Sequence, residues 1–383
     1  MARRPIGIVV NGVTGRMGYR QHLVRSLLAI RADGGLPSAD GTRIWPEPVL
    51  VGRSAVRLEE IARRHGLTEW TTDLDDALAR DDVEIYFDTQ VSAARDKAIR
   101  AAIDAGKHVY TEKPLATDLT SAVELLRLAR AAGVRHGVVQ DKLFLPGLRK
   151  LKRLVAGGFF GRILSVRGEF GYWVFEGDWQ VAQRPSWNYR AADGGGIVMD
   201  MFPHWQYVLE QLFAPVRAVQ CVAATHIPVR VDESGAEYEA TAEDAAYAIF
   251  ELDGGIVAQV NSSWAVRVHR DELVEFQVDG TLGSAVAGLR ECRVQHRATT
   301  PMPVWNPDLP ATEEFRAQWQ RVPDNEEFEN GFKAQWSAFL RHVVDGAPFP
   351  WDFAAGARGV QLGELGLRAA REGRRIEVPE LPV

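Results

Sequence analysis

Short, nearly continuous apolar runs punctuate the first 140 residues: Pro5–Val10, Pro48–Val51, Val83–Asp88, Lys107–Tyr110 and Val134–Val139. Runs that are apolar without alternation predict strands buried on both faces of a parallel sheet. Between them the apolar period becomes helical. Gly18–Ile30 puts Leu23, Val24, Leu27 and Leu28 on one face, and Val56–His65 does the same with Leu58, Ile61 and Ala62. Thr120–Ala132 carries Ala122, Leu125, Leu126 and Ala129 at helical spacing, and Gly133 stops it. Strand and helix alternate, which predicts an α/β, doubly wound Rossmann half. Arg31–Pro46, with its Gly, Pro and Asp, reads as an extended surface loop before the second strand.

Beyond about residue 145 the rhythm changes. Gly161–Phe175, Val216–Val229, Asp244–Leu252, Ile256–Ala265 and Glu272–Val278 are long and strand-like, and Asp253-Gly254-Gly255 is a hairpin signal. They predict an open, mostly antiparallel sheet. Helices are expected over Phe328–Val344 and over Ala354–Glu372, the latter capped by Asp352 and closed by Gly373. Residues 299–325 are dotted with proline and read as an irregular excursion. The expected division is a dinucleotide-binding domain at 1–143 and an α/β substrate and oligomerisation domain at 144–383, with helix 354–372 a candidate to pack back on the first.

Composition adds mainly exclusions. With 383 residues, 46% apolar and 25% charged, the chain has room for two soluble domains. The net charge is −6 and both signs are interspersed, so nothing points to nucleic acid or a membrane surface. The basic start at Arg3-Arg4 is followed only by Ile6–Val10 before Asn11 and Gly12, too short for a secretory h-region. Cys221 and Cys292 form neither a metal spacing nor a disulfide framework, so no metal is expected and a reducing cytoplasm fits.

Three local features carry chemistry. The first run ends in a glycine turn, Gly12-x-x-Gly15-x-x-Gly18, with Thr14, Arg16 and Met17 between the glycines. Such a turn lets backbone N–H groups approach a pyrophosphate at the positive end of a helix; its spacing differs from G-x-G-x-x-G, so the strand before and helix after carry the reading against an ordinary turn. The second strand ends on Gly52-Arg53-Ser54, where an acid for the adenosine ribose of NAD would be expected. The glycine leaves room for a 2′-phosphate, Arg53 can fork onto it and Ser54 can donate, so NADP(H) is expected over NAD(H), which stays the alternative. The competing reading of Arg53 is a solvated surface arginine. Glu112-Lys113-Pro114 closes the fourth run, and a strand-end lysine fixed by proline can touch both cofactor and substrate.

Farther along, Asp200 and His204 stand four apart and so share a helical face, with Pro203 between them marking a helix that begins or bends there. His204 suits a general base taking an alcohol proton, against the alternative of a core histidine beside Trp205. Asp200 can hold the substrate hydroxyl or orient the imidazole, and Lys113 can stabilise the developing alkoxide while hydride leaves the carbon. Trp173, Trp179, Trp187 and Trp205 fall around this pair; aromatic faces suit sugars, and Asn188, Tyr189 and Arg190 offer polar contacts, although packing is the alternative for any one of them.

Gly12–Gly18, Asp82–Thr89, Ala105–Val109, Glu112-Lys113-Pro114, Gly194-Gly195-Gly196 with Asp200 and His204, Glu243-Asp244 and Arg371–Arg375 together resemble the glucose–fructose oxidoreductase/inositol dehydrogenase (Gfo/Idh/MocA) family. The resemblance spans nearly the whole chain. It implies a Rossmann domain, a C-terminal α/β domain whose open sheet forms a homodimer or homotetramer, and hydride transfer at a carbon of a sugar, cyclitol or sugar acid. It assigns catalytic roles to Lys113, Asp200 and His204, sets Thr89, Gln90 and Glu112 on the nicotinamide side, and points Gln140 and Lys142 toward the substrate; Trp187, Asn188 and Tyr189 join them as substrate-side candidates on their own chemistry. The turn Gly15-Arg16-Met17-Gly18 is closer to that of dihydrodipicolinate reductases, which also use NADPH. Two readings compete: a redox-neutral sugar-converting enzyme with tightly bound nicotinamide, and a non-catalytic NADP sensor. The intact Lys/Asp/His set argues against the sensor.

Overall fold

An apolar run without polar alternation is stable only where both sheet faces are covered, and the first runs lie in that setting. In the computed structural model, which describes residues 2–301, 306–310 and 313–382, they belong to a seven-stranded sheet. Its strands are β1 (Arg3–Asn11), β2 (Leu36–Pro37), β3 (Arg43–Val51), β4 (Trp70–Thr71), β5 (Val83–Asp88), β6 (His108–Thr111) and β7 (His136–Val138). The order is β2-β3-β1-β5-β6-β7, with β4 also on β3. Every described pair is parallel except β2 with β3. Ile6, Ile8, Val9, Val10, Ile85, Tyr86 and Phe87 are fully buried, so both faces are covered.

The helices start where local chemistry starts them. Ala55–His65 is capped by Ser54 Oγ and ends on Gly66 in the left-handed region at φ 63°. Leu119–Ala131 is capped by Asp118, which accepts from Ser121 N at 2.8 Å. Met17–Leu28 is wound with i→i+5 bonding and runs on into Ala29–Ala32. Leu74–Leu78 and Ser92–Asp104 are further helices that the apolar spacing does not single out; in the second, alanines supply much of the buried side, as Ala98 and Ala102 do.

The stretch read as a surface loop at 31–46 is largely structured. Leu36–Pro37 pairs with Arg43 and Ile44, and β3 already pairs with β1 at Arg3↔Arg43. Ile44 is fully buried, while the Arg3 guanidinium lies 3.9 Å over the Trp45 ring. Pro46 and Pro48 disguise the strand, because proline normally marks an edge or an end.

The chain divides into two units, one comprising 1–144, 329–364 and 380–383, the other 145–328 and 365–379. The helix Gly331–Asp345 therefore belongs to the first unit, although it follows the antiparallel strands in sequence. Its Trp336, Phe339 and Leu340 complete a core with Ile8, Val10, Phe87 and Tyr110. Tyr110 stacks on Phe339 at 4.6 Å, and the Trp336 ring stands edge-on to Phe87 and Tyr110, each at 4.8 Å.

In the second unit a nine-stranded sheet runs β17-β16-β15-β14-β8-β13-β12-β9-β18. Its members are β8 (Ile163–Gly171), β9 (Val216–Ala224), β12 (Ala245–Leu252), β13 (Ile256–Ser263), β14 (Val274–Gly280), β15 (Gly283–Ala287), β16 (Cys292–His296), β17 (Gln320–Arg321) and β18 (Ile376–Glu377), with β10 (Val229–Val231) and β11 (Glu237–Glu239) forming a separate ribbon. Only β8 with β13 is parallel among the described pairs. β12 and β13 join through Asp253-Gly254-Gly255, with both glycines at positive φ. Ala246, Ala248, Phe250 and Leu252 of β12 point inward, where Ile197–Leu212 packs: Phe202 meets Phe250 at 5.3 Å, and Trp205 Nε1 donates to Ser262 Oγ at 2.9 Å. Of the excursion at 299–325, residues 302–305 and 311–312 lie outside the described residues; β17 lies near its end.

Arg230 and Asp244 form a fully buried ion pair at 2.7 Å, and the Asp244 carboxylate also accepts the backbone N–H groups of His226 and Ile227. Removing one partner strands a charge in the interior. Asp244→Ala is expected to cost about 3–5 kcal/mol, measured by urea unfolding.

Candidate active site

The parallel register brings four strand ends level. Asn11 pairs with Val51 on one side and Asp88 on the other, and Asp88 pairs with Thr111. Gly12–Gly18, Gly52–Ser54, Thr89-Gln90 and Glu112-Lys113 all follow these ends. The chain reverses its winding between β1 and β5, and such a switch point is where open α/β sheets bind ligands. There the glycine turn is pressed against Thr89. Gly12 sits at φ 82°, and a Cβ on it would lie 2.8 Å from Thr89 Oγ1. A Cβ on Gly18 would lie 2.7 Å from the same oxygen. Thr89 Oγ1 in turn donates to Asn11 O at 2.8 Å. Gly15 and Arg16 are exposed at the tip, with Thr14 and Met17 half-buried beside them. A bare turn seated on a strand end and leading into a helix fits the pyrophosphate of a dinucleotide. At the end of β3, Arg53 is exposed, and Ser54 Oγ accepts from Arg57 N at 3.4 Å as the helix cap. A Cβ on Gly52 would make only ordinary contact, 3.4 Å from Thr14 Cγ2.

Two buried polar groups brace the Glu112-Lys113-Pro114 segment, whose Lys113–Pro114 peptide is cis. His22 Nε2 lies 2.7 Å from Glu112 Oε1. Arg95, 2% exposed, bonds the Pro114 carbonyl, Gln90 O at 2.8 Å and Asp88 Oδ1 at 3.0 Å. Asp88 also accepts Gln90 N and the Tyr86 hydroxyl. One arginine thus ties the Thr89-Gln90 turn to the lysine segment. Burial pushes the Glu112 carboxyl up, but the bond from His22 and the charges of Lys113 and Arg95 leave it below the usual carboxylate range. Gln140 is buried, its backbone N–H held by Gln335 Oε1 at 2.7 Å, and Lys142 is partly exposed with Nζ 4.0 Å from Asp141.

In the second unit the helix Ile197–Leu212 carries Asp200 and His204. It starts at Ile197 and not at Pro203, which stands inside it. What starts it is the glycine triplet. Gly194 and Gly196 have φ of 77° and 118°; a Cβ on Gly195 would lie 2.4 Å from Asn188 O, and one on Gly196 2.4 Å from Glu243 Oε1. Glu243 caps the helix, accepting Ile197 N on its backbone oxygen and Val198 N on Oε1, both at 3.0 Å. Burial pushes its carboxyl above the usual range. Asp200 pairs with Arg184 at 2.8 Å, and His204 Nδ1 lies 2.6 Å from the Tyr207 hydroxyl. The Arg184 guanidinium lies over Trp264 and Phe175 and donates to Asn188 Oδ1 at 3.2 Å.

The neighbouring aromatics separate by burial. Trp205 is fully buried on the sheet side, and Tyr189 is fully buried with its hydroxyl donating to Phe175 O at 2.7 Å. Trp187 is half-buried, and Trp173 and Trp179 are exposed.

The first domain matches the model described as "Oxidoreductase family, NAD-binding Rossmann fold" over residues 7–140, and residues 148–286 match the GFO/IDH/MocA C-terminal domain. D-xylose dehydrogenase of Paenarthrobacter nicotinovorans is 59% identical over 380 residues, covering 98% of each chain. The chain belongs to the Gfo/Idh/MocA family of oxidoreductases. It is a dehydrogenase that uses a nicotinamide cofactor. Inositol 2-dehydrogenase of Rhodococcus erythropolis is 27% identical over 85% of each chain. Levoglucosan dehydrogenase solved with NADH and levoglucosan shares the fold, with a TM-score of 0.79 over 99% of this chain and all of that one, at 20% identity.

Sequence reasoning passed over His22, Arg95, Arg184 and Tyr207. His22 and Tyr207 had a usable signal, since each lies on a helix that also bears a motif; Arg95 and Arg184 had none. Gly196→Ala would force both a left-handed residue and a clash with the helix cap. It is expected to cost about 2 kcal/mol or more in thermal unfolding.

Proposed function

We propose that this family member oxidises a CH–OH carbon of an aldopentose of the D-xylose type with NADP, and runs the same chemistry in reverse on the oxidised sugar. The observation that carries the substrate class is the 59% identity to D-xylose dehydrogenase over 98% of both chains. When bound, the nicotinamide supplies the hydride acceptor. His204, with Nδ1 set by Tyr207, takes the hydroxyl proton. Asp200, paired with Arg184, orients the substrate hydroxyl. Lys113 stabilises the negative charge that grows on the oxygen as hydride leaves carbon. Asn188 and Trp187 offer an amide and an aromatic face to the sugar, and Arg184 joins them in this reading; Gln140 and Lys142 stay as further substrate-side candidates.

The preference for NADP(H) rests on the missing acid after β3, where Gly52 stands, and on exposed Arg53 beside it. Self-association is proposed through the C-terminal sheet, where Val222, Tyr247, Ile249 and Val257 are 63, 41, 45 and 45% exposed, a large share for apolar side chains. A cytoplasmic setting suits Cys221 and Cys292, both buried, with thiols pushed up to about 12 by burial. Among the described residues no helix is long and apolar enough to cross a membrane.

Lys113→Ala and His204→Ala are each expected to lower kcat on D-xylose by about a thousandfold, with the dissociation constant for NADP(H) little changed; wild-type turnover in either variant would overturn the assignment. A panel of pentoses, hexoses and cyclitols tests the substrate class, with the highest kcat/KM expected for an aldopentose. Arg53→Ala should raise KM for NADP roughly tenfold and leave that for NAD alone. A wild-type enzyme that prefers NAD refutes the cofactor reading.

A further inference from the structure

A buried polar chain in the first unit links the helix Gly331–Asp345 to the strand-end lysine. Trp336 Nε1 donates to His22 Nδ1 at 3.0 Å. His22 Nε2 lies 2.7 Å from Glu112 Oε1, and Glu112 Oε2 accepts the backbone N–H of Lys113 at 3.2 Å. His22 and Trp336 are fully buried and Glu112 is 8% exposed. An indole N–H can only donate. The nitrogen that receives it must present a lone pair, so the imidazole proton sits on Nε2, aimed at the carboxylate. A second proton on Nδ1 would face the indole N–H and break that bond. Phe87 and Phe332 close the imidazole in, with ring centroids at 4.4 and 5.1 Å.

The carboxylate is therefore bound by a neutral donor. A histidinium there would cancel the Glu112 charge and weaken its pull on the lysine segment. A neutral one fixes the carboxylate and leaves its full charge beside Lys113.

We propose that His22 is a positioning residue: locked by Trp336 as the Nε2–H tautomer, it holds Glu112, and through it the backbone of Lys113, in the arrangement that hydride transfer needs. The proposal rests on the role given to Lys113 above. A packing histidine would leave the same burial but make a different prediction. His22 stands in an aromatic box, so packing alone favours His22→Phe over His22→Gln. Positioning requires the reverse order, because the glutamine amide can still donate to Glu112.

The experiment compares kcat, KM and NADP(H) affinity for His22→Phe and His22→Gln, and reads the ¹⁵N spectrum of His22 in the wild-type protein at neutral pH. His22→Phe is expected to lose about ten- to a hundredfold in kcat with a smaller change in cofactor affinity, and His22→Gln to recover most of it. The wild-type spectrum should show a protonated Nε2 and a bare Nδ1. A phenylalanine variant as active as the glutamine variant overturns the proposal, as does an Nδ1–H or doubly protonated His22. The spectrum decides even if neither variant folds. Lys113→Ala in the same assay separates the two levels. Full activity there overturns the proposed function, whereas an inactive Lys113→Ala beside a fully active His22→Phe overturns only the positioning role.

Discussion

The parallel register of β1 with β3 and β5 is the constraint on which the first unit depends. Pairing Asn11 with both Val51 and Asp88 brings the carboxyl ends of three strands to one level, and β6 joins them through Asp88 and Thr111. Loops far apart in sequence then leave the sheet side by side. The contact between the glycine turn and Thr89 follows directly, since a side chain on Gly12 or Gly18 would hold the loops apart. The same levelling lets one arginine, Arg95, bond two neighbouring strand-end segments, Asp88 and Gln90 at the end of β5 and Pro114 after β6.

The second unit solves a related problem with different means. Its helix must begin beside the start of β12 with Asp200 and His204 on one face. The glycine triplet lets the backbone pass Asn188 and Glu243 at distances no side chain would permit, and Glu243 supplies an acceptor to the first N–H groups. Negative charge at that end also suits the helix dipole. Pro203 lacks the N–H that would bond Met199 O, yet the helix continues because the sheet covers it: Phe202, Pro203, His204 and Trp205 are all buried.

Much of this was legible from residues alone where periodicity was strong. Val83–Asp88 reads as a strand and is one over the same residues, and the helix at Ala55–His65 lies within a residue of its apolar pattern. Legibility failed where a single residue misleads. Pro46 hid the first half of β3, and Pro203, a mark for a start or a bend, stands inside a helix that starts at Ile197. Short strands such as β15 to β17 carry too few residues for an alternation to show. Of the site, the motif residues were readable, while their supports were not. Arg95 and Arg184 look like any surface arginine until folding buries the first and pairs the second with Asp200.

The core of the first unit has a consequence for synthesis. Phe87 and Tyr110 lie against Trp336, Phe339 and Phe349, residues that emerge from the ribosome more than two hundred positions later. The nascent nucleotide half therefore waits, with aromatic rings uncovered, while β8 to β17 are translated. Contacts of such long range are slow to form and leave apolar surface open to misassembly in the interval. A chain cut just before Asn330 would carry all the strands of the parallel sheet and still lack the rings that close it.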